Sequence, residues 1–488
     1  MGHFNFDLTR KRLQVVRELQ KARQSYAMAV KAEFEARYRR SQSLYIAGRS
    51  IFPNGVSQLG RMLKPFPPFF RSASGCTMQS VDDTDLIDYW AGHFCMIFGH
   101  NPPHVIDALH QAARSPMLLQ IGVFTSLEAE VARKILDCTG GDQVLFSTSG
   151  ALSTMYAIML ACAATKRQMV VKIAGGWHGV QPWSVSGVRN IGDEDGRARS
   201  ECGGIPTGFT QDVIIIPFND VEAAERAFST YGPRIAACIA ELVLGNSGMV
   251  VADPRFVRRL RELCTEHGSA LILDEIVTGF RVNPGGMQQL YQVQADISTY
   301  GKALAGGMPF ACIVGSQRFM SAANESLPLR VWADAGTFTS HPGTLLAVNA
   351  TLDEIKRRGG EAYEQVIRNA SDLRDGVELA FNRNSVCVEI TGRSPSPEIP
   401  SFPISTVRFI TDPGRYRDSN SPLVHWDSRS NDVEFRNTTA RLALILKGIF
   451  SWQGLGVVTA AHTPDKLSST LRAYEEFASE IKDLFPTL

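Results

Sequence analysis

Lys302 follows Asp274 by 28 positions, in the stretch Leu271-Ile-Leu-Asp274-Glu-Ile276-Val-Thr278-Gly-Phe-Arg281 … Tyr300-Gly301-Lys302-Ala-Leu-Ala-Gly306-Gly307. A lysine amine can form a Schiff base with an aldehyde. A carboxylate at the end of a buried strand can hold a pyridine nitrogen protonated, which makes the ring an electron sink. Together they suit a pyridoxal phosphate enzyme, with Lys302 as nucleophile and then general base and Asp274 as the electrostatic stabiliser. Either fragment alone is commonplace, since Asp-Glu often ends an apolar run and Gly-Lys often marks a solvated turn. Their combination carries the inference.

Other residues have types that could complete such a site. Ser149-Gly150-Ala151 sits between an expected strand and an expected helix, where unpaired N–H groups and the helix dipole favour a phosphate; a simple N-cap is the alternative. Trp177 follows Gly175-Gly176 and offers an aromatic face to a pyridine, unless it is a core residue. Ile276, two residues past Asp274, shares its strand face if the strand continues, and would pack on the opposite side of the ring. Asn246 is either a polar contact or a turn former. His100 and His104 have i, i+4 spacing, but Pro102 and Pro103 between them argue against a helical metal site, and no metal is expected.

The elements that must position these residues alternate. Runs at 143–147, 169–173, 213–216, 236–243 and 270–273 read as strands, and 151–164 and 254–267 as helices, which implies a largely parallel sheet covered by helices. Sites on such sheets lie at the carboxyl ends of the strands, where Ser149, Trp177, Asp274 and Lys302 would meet.

Seven ordered blocks then resemble the class III aminotransferases of pyridoxal phosphate fold type I, in the branch holding glutamate-1-semialdehyde 2,1-aminomutase and D-phenylglycine aminotransferase. They are Pro53-Asn-Gly55-Val56 … Arg61; Phe98-Gly99-His100-Asn101-Pro102; Ser149-Gly150-Ala151; Gly176-Trp177-His178-Gly179; Glu241 … Gly245-Asn246; the Asp274 to Lys302 stretch; and Gly336-Thr337-Phe338. The resemblance runs from about Ser43 to the C-terminus. It implies an α/β fold with a large domain built on a mostly parallel seven-stranded sheet, plus a smaller α+β domain. The cofactor it implies is pyridoxal 5'-phosphate, bound by Ser149, Gly150, Ala151, Trp177, His178, Asn246, Asp274, Ile276 and Lys302. Arg61 stands where the branch places an arginine for the substrate carboxylate, a task suited to the bidentate guanidinium. Thr337 resembles the residue that reaches the phosphate of a neighbouring subunit, which implies a homodimer. Ala151 and Leu152 replace the usual Thr-Glu, Leu242 a proline and His341 an asparagine.

The implied activity is an aminotransferase acting on a carboxylate-bearing amino acid and keto acid pair through a Lys302 Schiff base. An aminomutase, a racemase or epimerase, and a degenerate cofactor-binding subunit remain alternatives. The aminomutase type carries a gating glutamate shortly before a Thr-Ala-His-Thr-like segment. Thr459-Ala460-Ala461-His462-Thr463 sets that register here, and Gly454 stands at the glutamate position.

The 488 residues, 44% hydrophobic, can bury a large core and form two or three domains. Lys plus Arg at 50 against Asp plus Glu at 49 leaves no global field favouring nucleic acid or an anionic membrane, so the expected partners are small molecules. No apolar run reaches membrane-spanning length. Nine scattered cysteines without C-x-x-C spacing suggest a reducing compartment, hence a cytoplasmic location. Residues 1–41 carry ten Lys/Arg against four Asp/Glu, with Leu13, Val16 and Leu19 at helical spacing. They read as a basic helical arm packing on a partner subunit, with organelle targeting as the other reading. The expected divisions are this arm, an N-terminal part of the small domain over 42–104, a large cofactor-binding domain over 105–343, and a C-terminal small domain over 344–488. Prolines 395, 397, 400, 403, 413 and 422 make 391–431 an expected irregular loop.

Overall fold

The computed structural model describes residues 6–114, 118–189, 196–334, 336–411 and 425–485. Its centre is a seven-stranded sheet in the order Gln143–Ser147, Ala311–Gly315, Ile297–Gly301, Ala270–Asp274, Ile235–Ala240, Met169–Ile173, Val213–Ile216. Ala311–Gly315 runs antiparallel to both its neighbours, and the other pairings are parallel. Met169–Ile173, Val213–Ile216 and Ala270–Asp274 are buried along their whole length, as expected of strands covered on both faces. The helix Pro254–His267 starts where the Asp253 side chain accepts from Arg255 N (2.8 Å) and stops at Gly268, whose φ of +65° suits a left-handed cap.

Two local readings are refined, and His341 is placed. The strand expected over 236–243 breaks after Ala240 and resumes as Val243–Leu244, because Glu241 turns its carboxylate to Trp177 N (2.7 Å) and Gly245 N (3.1 Å). The helix that leaves the large sheet is Pro342–Arg358, and His341 caps it by accepting from Thr344 N (3.4 Å), which gives that residue a structural role. Within 391–431, expected to be irregular, Ile404–Ser405 pairs with Gly456–Val457 and Val407–Phe409 with Val388–Ile390. Buried Phe402, Ile404, Val407 and Phe409 hold these short strands in the core despite the surrounding prolines; residues 412–424 lie outside the described residues.

The small domain joins both ends of the chain. Phe70–Ser74, Thr77–Ser80 and Asp85–Asp88 form an antiparallel sheet, and Ile449–Phe450 adds to Asp85–Asp88 in parallel. The N-terminal helix Phe6–Arg37 packs through its second half on the C-terminal part of the chain. Val30 and Phe34 are buried, Tyr26 OH donates to Glu480 Oε2 (2.8 Å), and Arg23 Nε donates to Leu484 O (2.9 Å) while its guanidinium lies over Phe485. This part of the helix therefore docks on its own chain; the side chains of Leu13 and Val16 lie outside those described. Among the described residues no helix is long and apolar enough to cross a membrane.

Candidate active site

The parallel strands end along one edge of the sheet. Asp274 lies opposite Thr299, Gly301 opposite Ala311, and Ala311 opposite Ser147, so Asp274, Lys302 and the Ser149 turn meet there. Close approaches tie the turns together. A Cβ on Gly150 would stand 3.1 Å from Ile276, one on Gly301 3.2 Å from Ile276 Cδ1, and one on Gly179 2.3 Å from Ala151 Cβ. Lys302 itself has φ +42°, a left-handed value that is costly for a residue with a side chain and is found disproportionately at functional sites.

The electrostatics follow from burial. Asp274 accepts from Ile276 N (3.0 Å) and Thr299 Oγ1 (3.1 Å) through Oδ1, and meets His178 Nδ1 at 2.7 Å through Oδ2. Burial pushes the His178 pKa down, against the pull of Asp274, and its buried Nε2 has no hydrogen-bond partner among the described residues. Burial likewise lowers the Lys302 amine, opposed by Asp274, Cys95 and Glu241. Glu241 is pushed up by burial and by the charge of Asp274. Lys172, brought down to about 8 by burial, donates to Gly176 O (2.7 Å) and fixes the turn that presents Trp177. Sequence reasoning assigned no role to Lys172 or Thr299. Their positions inside strands at the site edge were the available signal.

The remaining candidates distribute unevenly. Ser149 is an exposed N-cap of the helix Gly150–Thr165, its Oγ accepting from Leu152 N (3.4 Å), so the cap and an open N-terminus coexist. Trp177 is 41% exposed on the turn. Ile276 needs a correction: the strand stops at Asp274 and the chain turns, so Ile276 is placed by its packing on Gly150 and Gly301 and not by strand alternation. Asn246 is half-buried beside Gly245. Arg61 is exposed on the short turn Leu59–Arg61, and its charge and that of Lys302 both act on Cys95. Thr337 is exposed, its carbonyl accepts from Gln120 Nε2, and among the described residues it makes no hydrogen bond to the Lys302 cluster.

Residues 60–393 match the family described as Aminotransferase class-III. The chain belongs to the class III aminotransferases. A glutamate-1-semialdehyde 2,1-aminomutase of Nitrosospira multiformis is 32% identical over 455 residues, covering 90% of this chain and 100% of that one. A beta-phenylalanine aminotransferase of Variovorax paradoxus shares the fold with a TM-score of 0.81 at 24% identity, over 95% of this chain and 99% of that one. A glutamate-1-semialdehyde aminomutase of Pseudomonas aeruginosa PAO1 does so with a TM-score of 0.80 at 21% identity, over 97% and 99%. This class III enzyme is thus pyridoxal phosphate-dependent and of fold type I. Its residues fit that cofactor: a half-buried lysine, a buried carboxylate with three donors, an aromatic on a fixed turn, and the first-turn N–H groups of the helix Gly150–Thr165 converge at one sheet edge. When bound, pyridoxal phosphate supplies an electron sink for the carbon that loses its proton.

Proposed function

We propose that the protein is an aminotransferase for a carboxylate-bearing amino acid and keto acid pair. Lys302 attaches the cofactor and then carries the α-proton, and Asp274, steadied by His178 and Thr299, faces the pyridine nitrogen. Trp177 and Ile276 hold the two ring faces. Ser149, Gly150 and Ala151 hold the phosphate, Asn246 the polar edge of the ring, and Arg61 the substrate carboxylate. Thr337 completes the phosphate site of the partner subunit in a homodimer, a reading supported by its exposure. The large cofactor-binding domain is assigned to 105–343 and the small domain to 42–104 with 344–488, supported by the sheet joining Asp85–Asp88 to Ile449–Phe450. The scattered free cysteines support a cytoplasmic location.

The observation that carries the aminotransferase reading over an aminomutase is Gly454. It has φ +89°, and a Cβ there would stand 2.9 Å from Val407 Cβ, so the position holds no carboxylate and resists a side chain. The second reading, an aminomutase, is favoured by the names of the relatives. Incubation of the holoenzyme with a panel of α- and β-amino acids separates the two. The aminotransferase bleaches the visible absorbance and releases a free keto acid, and a second keto acid restores the colour. Recovery of the amine on a neighbouring carbon of the same molecule would establish the aminomutase, and simple inversion of the amino acid a racemase.

A further inference from the structure

Ala91, Gly92, His93 and Phe94 form four consecutive residues in the left-handed region, with φ of +47°, +61°, +64° and +68°. Three of them carry side chains, so the run is strained and persists only because its surroundings over-determine it. Asp88 accepts from Trp90 N (2.7 Å) and Ala91 N (2.9 Å), and Met96 N donates to Ala91 O (3.1 Å). Arg281 donates to Phe94 O, Phe94 sets its ring edge-on to Trp452, and the Arg441 guanidinium lies over Trp90.

This run holds His93 beside the Arg61 turn. A Cβ on Gly60, next to Arg61, would stand 4.0 Å from His93 Cε1. Met96 links the run to the chain just beyond the Lys302 turn: a Cβ on Gly92 would stand 2.9 Å, and one on Gly307 2.8 Å, from Met96 Cε. Trp90 and Phe94 meet the imidazole edge-on. The ring is half-buried, and among the described residues neither ring nitrogen makes a hydrogen bond to protein.

We propose that His93 is a specificity-determining residue: its uncommitted imidazole, held by the left-handed run beside the Arg61 turn, hydrogen-bonds a neutral polar group on the side chain of the amino-acid substrate. Burial and the charges of Lys302 and Arg61 bring its pKa down to about 4, so it offers one N–H donor and one lone pair at neutral pH. A hydroxyl, amide or carbonyl matches that pair. A second carboxylate would call for a cation. The inference rests on the aminotransferase reading only for the identity of the substrate as an amino acid.

The test compares matched substrates of nearly equal shape, threonine with valine and asparagine with leucine, on the wild-type holoenzyme and on His93→Phe and His93→Gln. Two quantities are read: the spectral change of the bound cofactor on titration, which gives binding, and kcat/KM for keto acid release. The polar-to-apolar ratio is expected to fall about tenfold or more in His93→Phe and to survive largely in His93→Gln. An unchanged ratio, or equal losses for both members of each pair, would overturn the proposal and leave His93 a structural residue. If His93→Phe does not fold, His93→Ala is the second variant, with free imidazole expected to restore the ratio; no restoration counts against the proposal. Absence of keto acid from every substrate would remove the aminotransferase reading, while the binding ratios would still decide the role of His93.

Discussion

His178 Nδ1 and Asp274 Oδ2 lie 2.7 Å apart, with both side chains buried. Burial lowers the imidazole pKa, and because a carboxylate oxygen only accepts, Nδ1 carries the hydrogen and the histidine donates. The bonds from Ile276 N and Thr299 Oγ1 fix the other carboxylate oxygen, and the three donors together leave Asp274 one orientation. His178→Phe removes one donor without adding a charge. It is expected to lower kcat about ten- to a hundredfold, less than Asp274→Ala, while visible absorbance is retained. Steady-state rates alongside spectra check this, and a wild-type kcat in His178→Phe would show that the bond does not steady Asp274.

Complementation addresses Thr337. A chain carrying Lys302→Ala and one carrying Thr337→Ala are each expected to be impaired. Mixed under conditions that exchange subunits, they should form heterodimers in which one site holds both intact residues. Recovery of activity checks the assignment. No recovery despite proven exchange would place the action of Thr337 within its own chain.

The large sheet was legible because its strands are continuous buried apolar runs, and the helix Pro254–His267 because Asp253 and Gly268 punctuate it. That Asp274 and Lys302 lie at one edge of the sheet was legible because strand ends on a parallel sheet converge. What escaped the sequence depends on contacts between distant residues. Glu241 breaks its strand to bind a backbone N–H 64 positions away, and Ile276 is placed by two glycines on other elements. The left-handed values at Ala91, His93 and Phe94 run against their own preferences, so only tertiary contacts impose them. Similarly, the apolar face of the N-terminal helix carries no label naming the helix Pro464–Ile481 and its following turn as its partner.

Arg61 offers a prediction on substrate binding. It is exposed on its turn, and its charge acts on Cys95 as that of Lys302 does. Arg61→Ala is expected to raise the KM for carboxylate-bearing amino acids about tenfold or more and to leave plain amines nearly unaffected, since a bidentate charge-assisted contact is lost only for the former. Equal changes in both series would make Arg61 a structural residue.

Glu275 supplies a dependence of stability on pH. It is fully buried next to Asp274, accepting from Gln288 N (2.8 Å), Met287 N (3.0 Å) and the Thr278 hydroxyl. Burial raises its pKa from 4.5 to about 7, the three donors opposing and the charge of Asp274 assisting. Because the folded value lies above the unfolded one, the native state binds the extra proton between them. The contribution is fully present below about pH 4.5 and is lost as the pH rises through about 7. Glu275→Gln does not titrate, so the stability of the wild type relative to this variant should decrease from pH 5 to pH 8 by on the order of 2 kcal/mol. Urea midpoints for both proteins at one protein concentration measure it. A difference that stays constant, or grows with pH, would mean that Glu275 is not held protonated by its burial.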